Sequence, residues 1–308
     1  MSKRSYFQRT KSIIKRLNTK PYCTFDEISA YIRKEFEYAS EFGEEDPGFS
    51  KRTFQRDIKE IYDVWGIEIV FCKKNRGYHI VKDSFYSDNS GRLFEVYEMM
   101  NALQIAEDLK DIVYFEQRQP LNTHYFDDVI AAVKRKVYLR ITYCKFGAET
   151  PDDIKIAPYG LKEYRNRWYI VAKTNDKLRI YALDRIVEVR KTSERFQWDK
   201  SLDIGGLYKD VFGIYIDGRQ ETEQVELEVS PYMSNYIRTL PLHPSQEIVK
   251  EDAQSCHVRL QLKISDELVT ELLSYGRHVK VLRPRSLQKA VVKSLQESLM
   301  QYPAAGDT

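Results

Sequence analysis

Cysteine is scarce and scattered in this sequence: Cys23, Cys72, Cys144 and Cys256 are its four, and no two form a CxxC pair. Neither a zinc site nor a disulfide framework is expected, and the thiols read as ordinary reduced side chains. Long apolar runs are missing as well; none approaches the ~20 residues a membrane-crossing helix needs. The opening segment MSKRSYFQRTKSIIKRL lacks the apolar core of a secretory signal, so the expected location is the cytoplasm, with no membrane partner. An enzyme would need paired acids, a metal cluster or a nucleophile–base pair converging on one pocket. No P-loop occurs, His243 and His257 fall in different segments, and the acidic runs Glu44-Glu45-Asp46 and Asp152-Asp153 read as solvated turns. No catalytic residue, metal ligand or cofactor is therefore assigned.

What the chain has in quantity is aromatic and charged side chains. Aromatics make up 13%, with 22 tyrosines, and 308 residues suffice for two or three domains. The net charge of +3 conceals segregation: residues 1–83 carry +4, residues 84–130 carry −6, residues 131–200 carry +8 and residues 201–308 carry −3. Two basic blocks separated by an acidic one favour polyanionic partners, because Lys and Arg neutralise phosphates.

In the first block, Phe7, Ile13, Ile14 and Leu17 have helical spacing, and Pro21 ends the pattern. A second helix follows in TFDEISAYIRKEF. Thr24 and Glu27 form a capping box, and Phe25, Ile28, Ile32 and Phe36 form the apolar stripe. A polar connection leads to SKRTFQRDIKEIYDVWG, where Ser50 is an N-cap and Gly66 a stop. Phe54, Ile58, Ile61 and Trp65 face a core; Lys51, Arg52, Gln55, Arg56 and Lys59 fall mostly off that stripe. IEIVFCKKNRGYHIV reads as a hairpin around a basic turn. Three helices and a hairpin make a winged helix-turn-helix plan, whose third helix enters the major groove. Arg52, Gln55 and Arg56 suit base edges, and Lys51 and Thr53 suit phosphates. Lys73, Lys74 and Arg76, with Asn75, would form a basic wing tip against an adjacent backbone or minor groove. SKRTFQRDIKEI resembles the S-x-R-T-x-x-R-D-x-x-x-L signature of DeoR-type winged helices, with Ile61 in place of Leu. RGYHI resembles the closing strand of their wing. The connection from Tyr38 to Phe49 is long for that plan.

The acidic middle, GRLFEVYEMMNALQIAEDLKDIVYFE, has helical spacing at Leu93, Val96, Met99, Met100, Leu103 and Ile105. With FDDVIAAVKRK as a second helix, it reads as an intrachain linker or a dimer interface. His124 is given no role. From residue 137 the pattern turns strand-like. Val137, Leu139, Ile141 and Tyr143 alternate with polar residues, DIKIAPYGLKEYRNRWYIVAK gives two strands around PYG, and KLRIYALDRIVEVRKT gives one or two more. About five short strands without an intervening helix pack naturally as a small all-β barrel.

RWYIVAK followed by LRIYALDRI resembles the WYL domain, with Ile170 in place of its Leu. The resemblance implies a small Sm-like barrel with a basic ligand pocket acting as an effector-sensing module. Trp168, Tyr169, Arg179 and Arg185 carry over by motif match, and Tyr143 in ITY matches the tyrosine closing the first strand. Ala157 stands where many members carry a His before the Pro. If Asn175-Asp176 is a two-residue turn, Ala172 pairs with Arg179, Ile170 with Tyr181 and Trp168 with Leu183. Tyr169, Val171, Ile180 and Ala182 then make the other, more apolar face. A one-residue slip reverses the partners and brings Tyr169 alongside the arginines. In both registers strand alternation keeps Arg179, Tyr181 and Arg185 on one face. Guanidinium groups bind phosphate and rings stack on bases, so this face suits a nucleotide, an oligonucleotide or single-stranded DNA. The plainer alternative is an arginine pair bonded to acidic neighbours at a domain interface.

Downstream, strand, helix, two strands, helix, strand and a last helix succeed one another, with Ser265 capping the second helix. This βαββαβ order with a trailing helix suggests a ferredoxin-like sandwich. LLSYGRHVKVLRPRSL resembles the extension found C-terminal to WYL domains; Pro244, Arg283 and Arg285 read as surface, with polar rim or ligand contacts as the alternative. The expected fold is thus α+β and multidomain. Its segments are a winged helix-turn-helix (1–83), a helical linker (84–133), a WYL β-barrel (134–200), a connector (201–219) and a C-terminal extension (220–308). The expected function is a ligand-responsive, homodimeric transcriptional regulator that binds duplex operator DNA and a negatively charged effector. The alternatives are a nucleic-acid-binding accessory protein and, further off, a nucleic-acid-processing enzyme.

Overall fold

The computed structural model describes residues 3–40, 49–81, 121–216 and 220–302, together with 91, 94–96, 99 and 114. The chain divides into two compact units, Met1–Gln117 and Arg118–Thr308. Most of the acidic stretch read as a linker helix lies outside the described residues. Among the described residues, no helix is long and apolar enough to cross a membrane.

The first unit contains α1 (Lys3–Thr19), α2 (Phe25–Ser40), α3 (Lys51–Trp65) and a hairpin of β1 (Ile69–Cys72) and β2 (Gly77–Ile80). The starts of α2 and α3 and the stop of α3 have the expected chemistry. Thr24 Oγ1 accepts from Glu27 N at 3.2 Å while Glu27 Oε2 accepts from Thr24 N at 2.8 Å, closing the capping box. Ser50 Oγ accepts from Thr53 N at 3.1 Å, and Gly66 stops α3 in the left-handed region at φ 67°. Ile13, Ile14, Leu17, Ile28, Ile32, Phe54 and Ile61 form the core. Two features were not foreseen. Asp57 is fully buried on α3 and receives Arg9 of α1 bidentately, Nε at 2.8 Å and Nη2 at 3.2 Å. The hairpin is extended by Cys23, which exchanges backbone hydrogen bonds with Tyr78 at 2.7 and 3.1 Å. Gly77 sits where a Cβ would overlap the Tyr22 carbonyl. Only glycine allows that approach of the two backbones.

The second unit begins with a 3₁₀ turn (Thr123–Tyr125) and α4 (Phe126–Arg135). Five antiparallel strands follow: β3 (Val137–Tyr143), β4 (Asp152–Tyr164), β5 (Arg167–Thr174), β6 (Lys177–Ala182) and β7 (Ile186–Arg195), in the order β6-β5-β4-β3-β7. Leu139, Ile141, Ile156, Ile170, Ala172, Leu183 and Ile186 fill the interior, covered at one side by Val129 and Ala132 of α4. The expected pair of strands around PYG is corrected. Pro158-Tyr159-Gly160 lies inside the single thirteen-residue β4, which pairs with β3 as far as Ile156 and with β5 from Ala157 onward. The register shifts between Pro158 and Gly160, a bulge where the strand changes partners. A missing ladder donor costs least at such a point. The turn is instead Arg165-Asn166, both at positive φ.

The remainder holds β8 (Glu223–Val229), α5 (Pro231–Thr239), β9 (Glu247–Glu251), β10 (Cys256–Leu262), α6 (Asp266–Ser274), β11 (Val279–Arg283) and α7 (Arg285–Leu299). The βαββαβ order with a trailing helix is as read from the sequence. The strands form one antiparallel sheet, β11-β8-β10-β9. Ser265 Oγ caps α6 by accepting from Leu268 N at 3.2 Å. Tyr164 packs on this core, and Arg165 Nη2 meets Glu271 Oε2 at 2.5 Å, so β4 touches the C-terminal sheet domain directly.

Candidate functional site

The first candidate surface is the exposed side of α3. Lys51, Arg52, Gln55 and Arg56 are exposed and Thr53 is half-exposed, while Phe54 and Asp57 turn inward. Helical geometry separates these sets because the apolar stripe claims one side of the cylinder. Not all the polar groups are free. Gln55 Nε2 donates to Tyr78 OH at 3.1 Å, tying the helix to β2, and Arg56 reaches Asp57 at 3.4 Å. Lys51 Nζ lies 5.7 Å from the Phe25 ring centre. Lys73, Lys74, Asn75 and Arg76 form the exposed hairpin tip, with Arg76 at φ 51°.

The second candidate lies at one end of the five-stranded sheet. The β5–β6 turn is Asn175-Asp176, both in the left-handed region, so Ala172 pairs with Arg179 and Ile170 with Tyr181. Two expectations are corrected there. β6 stops at Ala182, and Leu183–Arg185 turns as a 3₁₀ helix. Trp168 therefore does not pair with Leu183, and strand alternation does not extend to Arg185. On the face read as more apolar, Tyr169, Val171 and Ala182 are buried, and the Tyr181 side is buried as well. Ile170, Ala172 and Tyr181 belong to the interior, and Tyr169 and Val171 are buried on the other side. The unshifted register pairs Tyr169 with Ala182, away from the Tyr181 side.

Arg185 nevertheless joins tyrosines, by a different route. Its guanidinium lies 4.8 Å from the Tyr143 ring centre and 3.8 Å from that of Phe146. Nε donates to Cys144 O at 2.9 Å. Among the described residues, no hydrogen bond or ion pair engages its two Nη groups. Tyr143 stacks edge-on to Tyr181 at 5.2 Å, and its hydroxyl accepts from Ala182 N at 3.2 Å. Burial pushes the Tyr143 phenol up, against the pull of Arg185. Tyr181 OH shares a hydrogen with Thr174 Oγ1 at 2.7 Å. Asp184 tempers the positive field: its Oδ1 is buried without a hydrogen-bond partner, and Oδ2 is 3.9 Å from Arg167. Tyr143, Tyr181 and Arg185 are thus brought together. Arg179 is exposed on the Tyr181 side of β6, whereas Trp168 packs edge-on against Phe126 of α4 at 4.6 Å.

Sequence reasoning passed over a larger feature. A cavity of about 800 Å³ opens on the outer side of β3, β4 and β5, lined by Tyr138, Lys155, Tyr159, Lys173 and residues 196–201. Its only sequence signal was Trp198, two residues after Phe196 and just beyond the last expected strand. Among the described residues, no cluster of His, Cys, Asp and Glu could hold a metal ion.

Two parts of the chain match known domains. Residues 124–191 match the WYL domain model and residues 221–299 the WCX domain model, so the chain carries a WYL domain and, behind it, a WCX domain. Protein PafC of Mycobacterium tuberculosis, in strains CDC 1551 / Oshkosh and ATCC 25618 / H37Rv, is 26% identical over 182 residues. The match takes in 58% of this chain and 54% of PafC, so the chain spans about half the length of these curated relatives. Two solved structures are also similar. One is proteasome accessory factor B/C (PafBC) of Arthrobacter aurescens, at 22% identity and TM-score 0.33 over 99% of this chain and 50% of that one. The other is a CRISPR Cas-related protein, at 12% identity and TM-score 0.37 over 97% of this chain and 85% of that one.

Proposed function

We propose that this chain is a ligand-responsive transcriptional regulator. Residues 1–83 act as a winged helix-turn-helix that binds duplex operator DNA. Residues 134–200 act as an Sm-like barrel that binds a negatively charged effector, a nucleotide, oligonucleotide or single-stranded DNA. Residues 84–133 link the two, and 201–219 join the barrel to a ferredoxin-like domain at 220–308. The functional unit is a homodimer in the cytoplasm. The observation that carries the reading is the sidedness of α3: Lys51, Arg52, Gln55 and Arg56 are exposed while the opposite side is core, beside a hairpin with an exposed basic tip. The match of residues 124–191 to the WYL domain model supports the barrel's part in this reading.

Arg52, Gln55 and Arg56 read base edges, and Lys51, Thr53, Lys73, Lys74 and Arg76 hold phosphates. Tyr143, Tyr181 and Arg185 form the effector site, with Arg179 at its margin; Trp168 and Tyr169 support it by packing. The effector acts by binding two arrangements of the dimer with unequal affinity. The test is fluorescence anisotropy on a duplex selected from genomic fragments. Arg52→Ala or Arg56→Ala should cost about 1–3 kcal/mol, and Lys73→Ala should flatten the salt slope by roughly one unit. Undiminished duplex affinity in all three variants refutes the interface. Arg185→Ala should remove the effector response and keep basal duplex binding.

A further inference from the structure

The outer cavity of the β3–β5 sheet has chemistry of its own. Tyr159 lies 4.6 Å from Trp198, and Phe196 5.4 Å from Tyr159 and from Tyr138, so four rings form one continuous wall. Its scaffold is rigid: Phe196 N donates to Lys136 O at 3.0 Å, and Asp199 N donates to Tyr159 OH at 3.2 Å, pinning the segment after β7 onto the sheet. Three ammonium groups edge this wall. Lys155 Nζ is 4.1 Å from the Tyr138 ring centre, Lys173 Nζ 5.8 Å from Tyr159, and Lys136 Nζ 5.7 Å from Trp198. The cage therefore supplies its own cations, which argues against a cationic ligand and for an aromatic, anionic one.

Two of the lysines are held by carboxylates, one exposed and one partly buried. Lys155 contacts Glu194 at 2.6 Å and Lys173 contacts Asp199 at 2.6 Å. The Lys155–Glu194 pair is exposed and contributes little, so a phosphate can replace Glu194 at small cost, whereas Lys173 and Asp199 are about two-thirds shielded and a phosphate would join that pair rather than replace it. Asn175 and Gln197 also line the cavity, with Asp176 and Asp199, and an amide can both donate to and accept from a base edge. Beyond Lys155 the same sheet face continues through Arg140 and Arg190, which share Asp153. That basic row runs away from the cavity as a phosphate track would.

We infer that this cavity is a second nucleotide site, distinct from the Arg185 cluster, in which a base stacks on the Tyr159–Trp198 wall and the adjoining phosphate lies on Lys173 and Lys155. Ring stacking with flanking lysines is the general means of holding single-stranded nucleic acid. The same chemistry is offered by a free nucleotide and by one residue of a single strand; the Arg140–Arg190 row predicts that the strand binds more tightly. The inference stands on this cavity alone and does not require the regulator reading.

The test is titration of the full chain with a nucleoside monophosphate and, separately, with a twelve-nucleotide single strand, by calorimetry and tryptophan fluorescence. Wild-type protein should bind at least one probe with quenching of Trp198. Trp198→Ala should weaken binding at this site at least about tenfold, Trp198→Phe should restore most of it, and Lys173→Gln should weaken it and reduce its salt dependence. If Trp198→Ala alters the far-ultraviolet circular dichroism, Trp198→Phe and Lys173→Gln carry the test. Binding of the monophosphate at this site identifies a free-nucleotide site, and binding of the strand alone identifies a strand site; both support the inference. It is overturned if neither probe binds, or if binding survives Trp198→Ala and Lys173→Gln unchanged while Arg185→Ala abolishes it. That last result would leave the effector site proposed above intact. Loss in the Trp198 variant with no effect of Arg185→Ala would do the reverse.

Discussion

Arg9 and Asp57 are both wholly shielded from solvent, and their bidentate contact joins α1 to α3. Two ions in an apolar core owe their tolerability to each other. Removing Asp57 takes from Arg9 its buried bidentate partner, at about 3–5 kcal/mol. Asp57→Ala should therefore destabilise the first unit by that amount; Arg56, which also approaches Asp57 at 3.4 Å, is half-exposed and is resolvated readily. With a urea m-value of about 2 kcal/mol/M, the midpoint should fall by roughly 1.5–2.5 M. Hydrogen exchange on α1 and α3 localises the loss to this unit. The paired replacement Arg9→Met with Asp57→Leu removes both charges at similar volume. It should recover at least about half of the loss, since apolar replacements of buried pairs are often neutral or stabilising. The reasoning fails if either single variant costs less than about 1 kcal/mol, or if the double variant equals the sum of the singles within about 0.5 kcal/mol.

Gly77→Ala should cost about 2–3 kcal/mol or more in the same urea assay, because the added methyl meets the Tyr22 backbone rather than a side chain that can move. His243 is buried and its Nδ1 accepts from Ser245 N at 3.2 Å, so burial pushes its pKa below 6.5. Its folded form takes up a proton less readily than its unfolded form. Stability should therefore drop as pH falls through the unfolded value, and His243→Asn should flatten that drop in melts between pH 7.5 and 5. Glu27 is held down to about 2, from 4.5, by Lys20 and by the Thr24 N–H. Its contribution is present above pH 4.5 and is lost toward pH 2, so Glu27→Gln should weaken the fold at pH 6 and converge with wild type near pH 2 in thermal melts.

Local signals were readable where one residue acts on its sequence neighbours. The Thr24–Glu27 box, the Ser50 and Ser265 caps, the basic hairpin turn and the βαββαβ order all follow from spacings of a few residues. What escaped depends on distant partners. Asp57 lies between Phe54 and Ile61 on the apolar stripe, a visible signal, but its burial makes sense only with Arg9, 48 residues away. Pro158 and Gly160 look like a turn, yet β4 passes through them because β3 and β5 each pair with half of its length. Strand alternation failed at Leu183, where a 3₁₀ turn resets the side-chain direction of Arg185. The outer cavity draws on four separated stretches, and only folding brings Tyr138, Tyr159, Lys173 and Trp198 to one place.

The Arg165-Asn166 turn also acts as a latch. Arg165 at its tip bonds Glu271 of α6, whose other carboxylate oxygen accepts from Tyr275 OH at 2.6 Å, while Tyr164 sits in the C-terminal core beside Phe212. The covalent connector through residues 201–219 is thus not the sole tie between the β3–β7 sheet and the β8–β11 sheet. A protease that nicks this connector should leave the two fragments travelling together on a sizing column, and Arg165→Ala with Tyr164→Ala should let them part.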